Sequence, residues 1–312
     1  MSRPLLPTSL LPKPGLPLTH FLLALAVVAV WGSNFVVIRL GLDDLPPLTF
    51  AALRFTFALL PAIFFLKRPA VSWRNLAVYG VLIGVGQFGI LYIAMQSAIS
   101  PGLASLVVQT QVFFTIGLSM WLTQERVRGF QLVALGMAAA GLAWLMINAD
   151  ADVTWLGLGL VLIAAMSWAG GNTAARAAGP VNMLAYVVWA SLFSAPPLIA
   201  LALLFEGWPA VSQGIAGADA GTWAAVAWQS VGNTLFGYAA WAWLLARHPA
   251  ATVAPLSLLV PVFGMAGSAI WLGEAITPVK LTAAALVLGG LALNTLWPMW
   301  ARRAAPVSGE PV

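Results

Sequence analysis

The chain has 312 residues, of which 61% are hydrophobic and only 7% are charged, whereas soluble domains carry about 25% charged residues. This composition and the mean hydropathy of +0.94 exclude an ordinary soluble domain. The absence of cysteine excludes disulfides, zinc–thiolate sites and iron–sulfur clusters.

Ten apolar stretches are long enough to cross a bilayer, which takes about 20 helical residues. In chain order they cover residues 20–40, 46–66, 76–98, 102–122, 129–147, 155–177, 181–204, 221–246, 250–272 and 279–300. The sequence therefore predicts an all-α integral membrane protein with ten transmembrane helices and loose tails at 1–19 and 301–312. The first stretch is placed like a signal peptide, but its repetition later in the chain predicts that it is retained.

Similar segments recur about 140 residues apart. The segment at 30–39 is similar to the segment at 167–176, and in both an arginine follows a tryptophan by eight positions. The segment at 118–125 is likewise similar to the segment at 267–274. Such internal similarity is typical of transporters that bind their substrate between two repeats.

The repeats divide the chain into a first half at 20–148 and a second half at 155–300, with five helices in each. Because five is an odd number, the second half enters the membrane from the opposite face. The sequence therefore predicts two inverted five-helix repeats, related by a pseudo-two-fold axis in the membrane plane.

Most of the 14 basic residues fall in segments on one side of the membrane. This distribution indicates the orientation of the chain in the membrane and not nucleic-acid binding. With the N-terminus inside, the outer segments hold only Arg39 and Lys280, and Arg54 lies within a helix. The inner segments hold Arg3, Lys13, Lys67, Arg68, Arg74, Arg126, Arg128, Arg176, Arg247, Arg302 and Arg303. Since cytoplasmic loops are enriched in lysine and arginine, both termini are predicted to be cytoplasmic.

Polar and aromatic side chains within the predicted helices are the candidate site residues, because burial in a membrane costs each polar group free energy. Polar groups fall on the first, third, fourth, sixth, eighth and ninth helices and are nearly absent from the fifth and tenth, which predicts a cavity among the former. Hydrogen bonds between helices, and packing or interface anchoring for tryptophan, are the alternatives. The candidate substrate-binding residues are Trp31, Asn34, Gln87, Tyr92, Gln109, Trp168, Asn172, Trp189, Gln229, Asn233 and Tyr238.

Arg54 is the charged residue that lies well inside a predicted span, about 12 Å from the end of its helix. It is a candidate partner for a substrate carboxylate. Pairing with Asp43 or Asp44 and snorkelling toward the surface are the alternatives. No acidic residue falls in the middle of a span, so a carboxylate proton relay has no candidate, and the sequence predicts facilitated or weakly coupled transport.

Prolines interrupt two predicted helices. Pro255 and Pro261 fall in the ninth, and Pro196 and Pro197 in the seventh. Because proline frees backbone carbonyls and permits bending, Pro255 and Pro261 are the hinge candidates, with a static kink as the alternative.

No motif indicates an enzyme. The segment 84–89 matches the dinucleotide-binding glycine pattern, but it lacks the preceding strand that the pattern requires. His20 and His248 lie at predicted membrane edges, outside any HExxH motif. The sequence therefore predicts no catalytic residue, no metal and no cofactor.

Several segments resemble the EamA-type family of the drug/metabolite transporter superfamily. They are VWGSNFVVI at 30–38, PPL at 46–48, ALRF at 52–55, PGLASLV at 101–107 and APLSLLVPV at 254–262. The similarity extends over about residues 20–300 and is greatest to exporters of amino acids and metabolites, particularly of cysteine-type and aromatic amino acids. The resemblance implies a ten-helix inverted repeat in a bacterial inner membrane, export by alternating access, and roles for Trp31, Asn34 and the stretch 255–261.

Uncharged amides, hydroxyls and aromatic rings suit zwitterions with varied side chains. The predicted function is therefore export of neutral and aromatic amino acids, with broad specificity that extends to cysteine-type metabolites. Export of cationic drugs would favour an acidic cavity, and export of nucleotide-sugars would favour several buried bases. A channel and a membrane enzyme are further alternatives. The predicted partners are small-molecule amino acids and the lipid bilayer, with no nucleic acid and a monomer favoured.

Overall fold

A computed structural model describes residues 16–123, 128–148 and 153–304. Outside the described residues lie the outer parts of the predicted tails, Glu125 and the connector residues 149–152. Ten helical stretches follow the predicted order. They are α1 (Leu18–Gly41), α2 (Pro47–Leu59), α3 (Trp73–Ser97), α4 (101–123), α5 (Gly129–Ile147), α6 (Trp155–Ala177), α7 (Met183–Gly217), α8 (220–247), α9 (250–272) and α10 (Pro278–Ala304).

Nine helices in the described parts of the chain are both long enough and apolar enough to cross a membrane. The stretch that is not among them is α8, whose centre carries Gln229, Ser230, Asn233 and Thr234. All four side chains are buried inside the protein, which is where polar groups at membrane depth are tolerated. The chain is therefore a multi-pass membrane protein.

Two helices depart from their predicted bounds. α2 ends at Leu59 because Leu60 precedes a proline and is extended, and a 3₁₀ turn at Ala62–Phe64 follows. α7 breaks at 192–194 and resumes with Pro196 and Pro197 in its next first turn. It then runs beyond the predicted end at 204, because Gly207 adopts a φ of 80° that glycine tolerates and a further helical segment follows.

Irregular segments interrupt four of the central helices, and α7 is also π-helical over Ala202–Glu206. α3 is π-helical over Val81–Gly89, and α8 is π-helical over Trp228–Phe236. α4 has a 3₁₀ segment at Val108–Thr110, and α9 has one at Ala254–Leu259. The third and fourth helices of each half are thus irregular at matching places, and π-helical turns frequently occur at functional sites.

Glycines allow the central helices to cross closely. A Cβ atom on Gly32 would lie 2.5 Å from the carbonyl oxygen of Val260, so α1 and α9 require glycine at this crossing. A Cβ on Gly80 would lie 2.3 Å from the carbonyl oxygen of Ala190, where α3 meets α7. Small residues of this kind are the usual means by which membrane helices approach each other.

α5 and α10 form a peripheral pair. They pack along each other, and α10 contacts the remaining bundle through α9 and the start of α4. Leu132, Val133 and Leu281 on these helices are exposed by more than half. This apolar surface is suited to lipid, and it leaves α1, α3, α4, α6, α8 and α9 around the centre.

The two ends of the bundle differ in charge. At one end, here called the acidic end, the connections α1–α2, α7–α8 and α9–α10 carry Asp43, Asp44, Asp219 and Glu274, and Glu206 lies within α7. At the other, the basic end, the described residues near the helix ends include Lys67, Arg68, Arg74, Arg128, Arg176 and Arg247.

Candidate substrate cavity

A cavity of about 540 Å³ lies among the six central helices and the start of α7. Its deep end, near the middle of the helices, is lined by Asn34, Gln87 and Asn233, and its other end is lined by Met183 and Leu245. Met183 is the first residue of α7 and Leu245 lies two residues before the end of α8, so the mouth of the cavity is assigned to the basic end. The volume falls within the range of about 300–1,000 Å³ that small-molecule sites occupy.

Eight of the predicted substrate-binding residues line this cavity. They are Trp31, Asn34, Gln87, Gln109, Trp168, Asn172, Asn233 and Tyr238. No residue of α5 or α10 is part of the described lining. The cavity therefore lies where the distribution of polar residues along the sequence predicts it.

Three predicted residues do not line the cavity. Tyr92 and Gln229 lie about one helical turn beyond its deep end, toward the acidic end, where both are fully buried around Arg54. Trp189 faces another way, because its Nε1 donates a hydrogen bond to the carbonyl oxygen of Leu66 (2.9 Å) at the basic end. These side chains support the surrounding structure and do not contact the cavity.

Aromatic rings form one wall. The ring of Trp31 lies 5.9 Å from that of Tyr238 and 5.2 Å from that of Trp241, between ring centroids. Its Nε1 donates to the backbone carbonyl oxygen of Asn233 (3.3 Å). A Cβ on Gly237 would lie 2.4 Å from this nitrogen, so glycine at 237 allows the indole of α1 to rest against α8.

Amides connect the two halves across the cavity. Asn172 Nδ2 on α6 donates to Gln111 Oε1 on α4 (2.9 Å). Gln109 Nε2 on α4 makes a longer contact with the carbonyl oxygen of Ser257 on α9 (3.4 Å). Pro261, four residues after Ser257, has no N–H to donate to that carbonyl, and the N–H of Val260 donates to it instead. The predicted hinge prolines therefore flank a backbone acceptor at the cavity, with Pro255 in the adjoining 3₁₀ segment.

Two amide oxygens at the deep end have no hydrogen-bond partner among the described residues, namely Asn34 Oδ1 and Gln87 Oε1. Both side chains are only 3% exposed. A buried polar atom without a partner costs free energy, and both atoms belong to residues that line the cavity. They are buried acceptors beside the cavity that lack a donor within the described residues.

Arg54 is fully buried, at 0% exposure, next to the deep end of the cavity. Its Nη1 donates to Tyr92 Oη (3.2 Å) and Gln229 Oε1 (2.9 Å), and its Nη2 donates to Asn233 Oδ1 (3.1 Å) and Thr234 Oγ1 (3.2 Å). The guanidinium carbon also lies 3.6 Å from the ring centroid of Phe88, at the distance of a cation–π contact.

The structure does not support the two alternatives for Arg54. Complete burial is incompatible with snorkelling. Asp43 instead pairs with Arg39, and Asp44 accepts a hydrogen bond from Thr222. The lining contains no charged side chain within the described part of the chain. Arg54 is therefore the charge next to an otherwise uncharged cavity.

Several lining residues are absent from the predicted set, including Tyr79, Phe88, Gln111 and Trp241. Spacing could have identified some of them. Trp241 follows Tyr238 by three positions and so shares its helix face. Gln111 stands two positions after Gln109, where the 3₁₀ segment of α4 returns to α-helix.

A multi-pass helical bundle around a central cavity has the architecture of a membrane transporter. The EamA-like transporter family matches residues 18–147 and 155–296. The chain belongs to this family.

Relatives and a solved structure agree with this assignment. A protein of Salmonella typhimurium strain LT2, described as a probable amino-acid metabolite efflux pump, is 40% identical over 294 residues, or 92% of this chain and 98% of that protein. An Escherichia coli strain K12 protein of the same description is 39% identical over 292 residues, or 91% and 97% of the two chains. A crystal structure with 20% identity covers 92% of this chain and 99% of its own, with a TM-score of 0.62, which indicates a shared fold.

Proposed function

We propose that this protein exports amino acids of broad specificity, including neutral and aromatic ones, across a bacterial inner membrane. The observation that carries the proposal is the cavity of about 540 Å³, lined by amides, two phenols and indoles and open at one end. Amides donate to a carboxylate and accept from an ammonium group, and aromatic walls accommodate side chains of different shapes. The descriptions of the two relatives at about 40% identity support amino-acid metabolites as the substrate class, and we extend the proposal to cysteine-type ones.

The alternatives fit the cavity less well. A cationic drug would leave its charge without an acidic partner, since the described lining has none. A nucleotide-sugar carries two phosphate charges, and Arg54 is the only basic residue next to the cavity within the described ranges. A zwitterion brings both of its charges as one compact unit and suits a largely neutral site.

The proposed mechanism is alternating access by two inverted five-helix repeats, with ten spans and both termini in the cytoplasm. Support comes from the two separate family matches and from the paired irregularities in α3 and α8 and in α4 and α9. On this topology the basic end is cytoplasmic. The cavity then faces the cytoplasm, which is the state in which an exporter takes up its substrate, and the segment around Pro255 and Pro261 acts as a hinge.

Transport is proposed to be facilitated or weakly coupled to protons. Within the described helices, the acidic residues lie at the acidic end and not along the cavity. Carboxylates at membrane depth are the usual proton carriers of coupled transporters.

The test is uptake of labelled L-leucine and L-phenylalanine into proteoliposomes that contain only the purified protein, first without an ion gradient. We expect saturable uptake, competition between the two amino acids, and a clear loss of uptake in Trp168→Ala. Trp144→Ala is the matched control, because Trp144 is 41% exposed on the peripheral α5. Uptake that requires a proton gradient would refute the coupling proposal. No uptake of either amino acid under any gradient would refute the substrate class, and flux without saturation would indicate a channel.

A further inference from the structure

The buried charge of Arg54 has four neutral hydrogen-bond acceptors and no carboxylate partner within the described part of the chain. A buried cation is usually paired with an acid, because an isolated charge is costly to remove from water. Here hydrogen bonds and the Phe88 ring stabilise the cation without neutralising it. A positive potential therefore extends from Arg54 into the adjoining deep end of the cavity.

Arg54 also determines the direction of the amides that it contacts. A guanidinium group can donate but cannot accept hydrogen bonds, so each amide must turn its oxygen toward Arg54. Asn233 does so with Oδ1 and Gln229 with Oε1. The NH₂ group of each amide then points away from the guanidinium.

The two amides differ in where they lie. Gln229 is fully buried beyond the cavity, and its Nε2 has no hydrogen-bond partner among the described residues. Asn233 lines the cavity itself. Its Nδ2 is therefore a donor for the cavity, strengthened by the positive charge behind it. The unpartnered oxygens of Asn34 and Gln87 lie at the same deep end.

We propose that Arg54 is a positioning residue, which holds Asn233 with Nδ2 directed at the cavity so that this group donates to the carboxylate of the substrate. The inference rests on the proposed function and deepens it: the protein recognises the α-carboxylate of its substrate and leaves the side chain free to vary.

The test compares L-leucine with L-leucinamide, which keeps the ammonium group but lacks the carboxylate. The measurement is inhibition of labelled L-leucine uptake in proteoliposomes, together with thermal stabilisation of the detergent-solubilised protein by each compound. In the wild type we expect L-leucine to bind at least about tenfold more tightly than L-leucinamide, the scale of a hydrogen bond to a charged group.

Asn233→Asp is the principal variant. The aspartate pairs with Arg54, neutralises its charge and has no NH₂ group to donate. We expect the KM for L-leucine to rise about tenfold or more, while binding of L-leucinamide is unchanged or improved. Asn182→Asp is the matched control, because Asn182 caps the start of α7 with its side-chain oxygen and aspartate caps equally well.

Variants of Arg54 separate positioning from packing. Arg54→Lys keeps the charge and we expect it to keep part of the preference for L-leucine, whereas Arg54→Gln should abolish it. A purely structural role would lower transport of all substrates alike without changing the ratio. These variants also keep the inference testable if Asn233→Asp does not fold.

The outcomes distinguish this inference from the proposed function. If the wild type neither transports nor is stabilised by L-leucine or L-phenylalanine, both are refuted. If the wild type transports L-leucine but Asn233→Asp and Arg54→Gln retain the wild-type preference over L-leucinamide, this inference alone is refuted.

Discussion

The two ends of the bundle are held together by different chemistry. At the acidic end, carboxylates of the second half bind helix N-termini of the first half. At the basic end, the described contacts between the halves include bonds that join uncharged backbone and side-chain groups. Examples are Asn75 Nδ2 with the carbonyl oxygen of Ala174 (2.8 Å) and Trp189 Nε1 with that of Leu66 (2.9 Å). The cavity opens at the basic end.

The contacts at the acidic end are strong for an electrostatic reason. The first N–H groups of a helix lack intrahelical partners and carry partial positive charge. Glu206 accepts from the N–H groups of Leu48 (2.6 Å) and Thr49 (3.0 Å) at the start of α2. Glu274 accepts from Ser100 Oγ (2.6 Å) and the N–H of Gly102 (3.0 Å) at the start of α4. On the proposed mechanism, opening this end requires both carboxylates to release.

The largest effect is expected from Glu274→Ala. Glu274 also accepts from Lys280 Nζ (2.9 Å), and the side chains of this pair are only 11% and 4% exposed. Removing one member of a buried ion pair costs about 3–5 kcal/mol, and here the bond from the Lys280 ammonium group to Glu274 is lost. We expect a loss of that order in the free energy of unfolding, measured by chemical unfolding in detergent micelles.

The control is the double variant Glu274→Gln with Lys280→Met, which removes both charges. It should be more stable than Glu274→Ala, because no unpaired charge remains. Wild-type stability in Glu274→Ala would show that this carboxylate does not hold the acidic end closed.

Glu206→Gln should have a smaller effect. Glutamine keeps one acceptor oxygen but replaces the other with an NH₂ group, so the bonds from Leu48 and Thr49 cannot all be kept. The expected loss is about 1–3 kcal/mol. The variant should also open the acidic end more often.

The native chain contains no cysteine, so opening can be measured with a single engineered one. Ser257→Cys places a thiol at the cavity. A membrane-impermeant thiol reagent added on the acidic side should label it faster when Glu206→Gln is present. Equal labelling rates with and without Glu206→Gln would contradict a gating role for Glu206.

The sequence predicts the helices well because most of them are long apolar runs, and it predicts most of the cavity because amides such as Asn34 and Asn233 stand out within the predicted helices. It does not predict the hydrogen bonds of Arg54. Its partner Gln229 lies 175 positions away in the sequence, and no local motif indicates that the two residues meet. The same holds for Glu206, whose partners at the start of α2 are 157 and 158 positions away. Contacts between halves depend on how the helices assemble, which periodicity and composition do not encode.

Thr222→Val tests a single hydrogen bond at the acidic end. The Thr222 hydroxyl donates to Asp44 Oδ2, which links α8 to the α1–α2 connection. The backbone N–H of Thr222 separately donates to Asp219 Oδ1 (2.8 Å), which lowers the pKa of that carboxyl below its ordinary value. Valine removes only the hydroxyl, so we expect a loss of about 0.5–1.5 kcal/mol in the same unfolding measurement.

The control is Thr222→Ser, which keeps the hydroxyl and should remain within a few tenths of a kcal/mol of the wild type. An equal loss in both variants would assign the effect to the methyl group of Thr222 and not to its hydrogen bond with Asp44.

The smallest effect is expected at the basic end, from His20→Phe. His20 Nδ1 lies 2.7 Å from His248 Nε2, a hydrogen bond in which one of the two nitrogens carries no proton, and the His20 ring meets Trp243 edge-on at 4.9 Å between centroids. Phenylalanine keeps the ring contact and loses the hydrogen bond, so the free energy of unfolding should fall by about 1 kcal/mol or less. Transport of L-leucine should change little, because the cavity is already open at this end. If His20→Phe destabilised the protein as much as Glu274→Ala, the two ends would be held equally strongly, and charge-assisted bonds could not explain why the acidic end is the closed one.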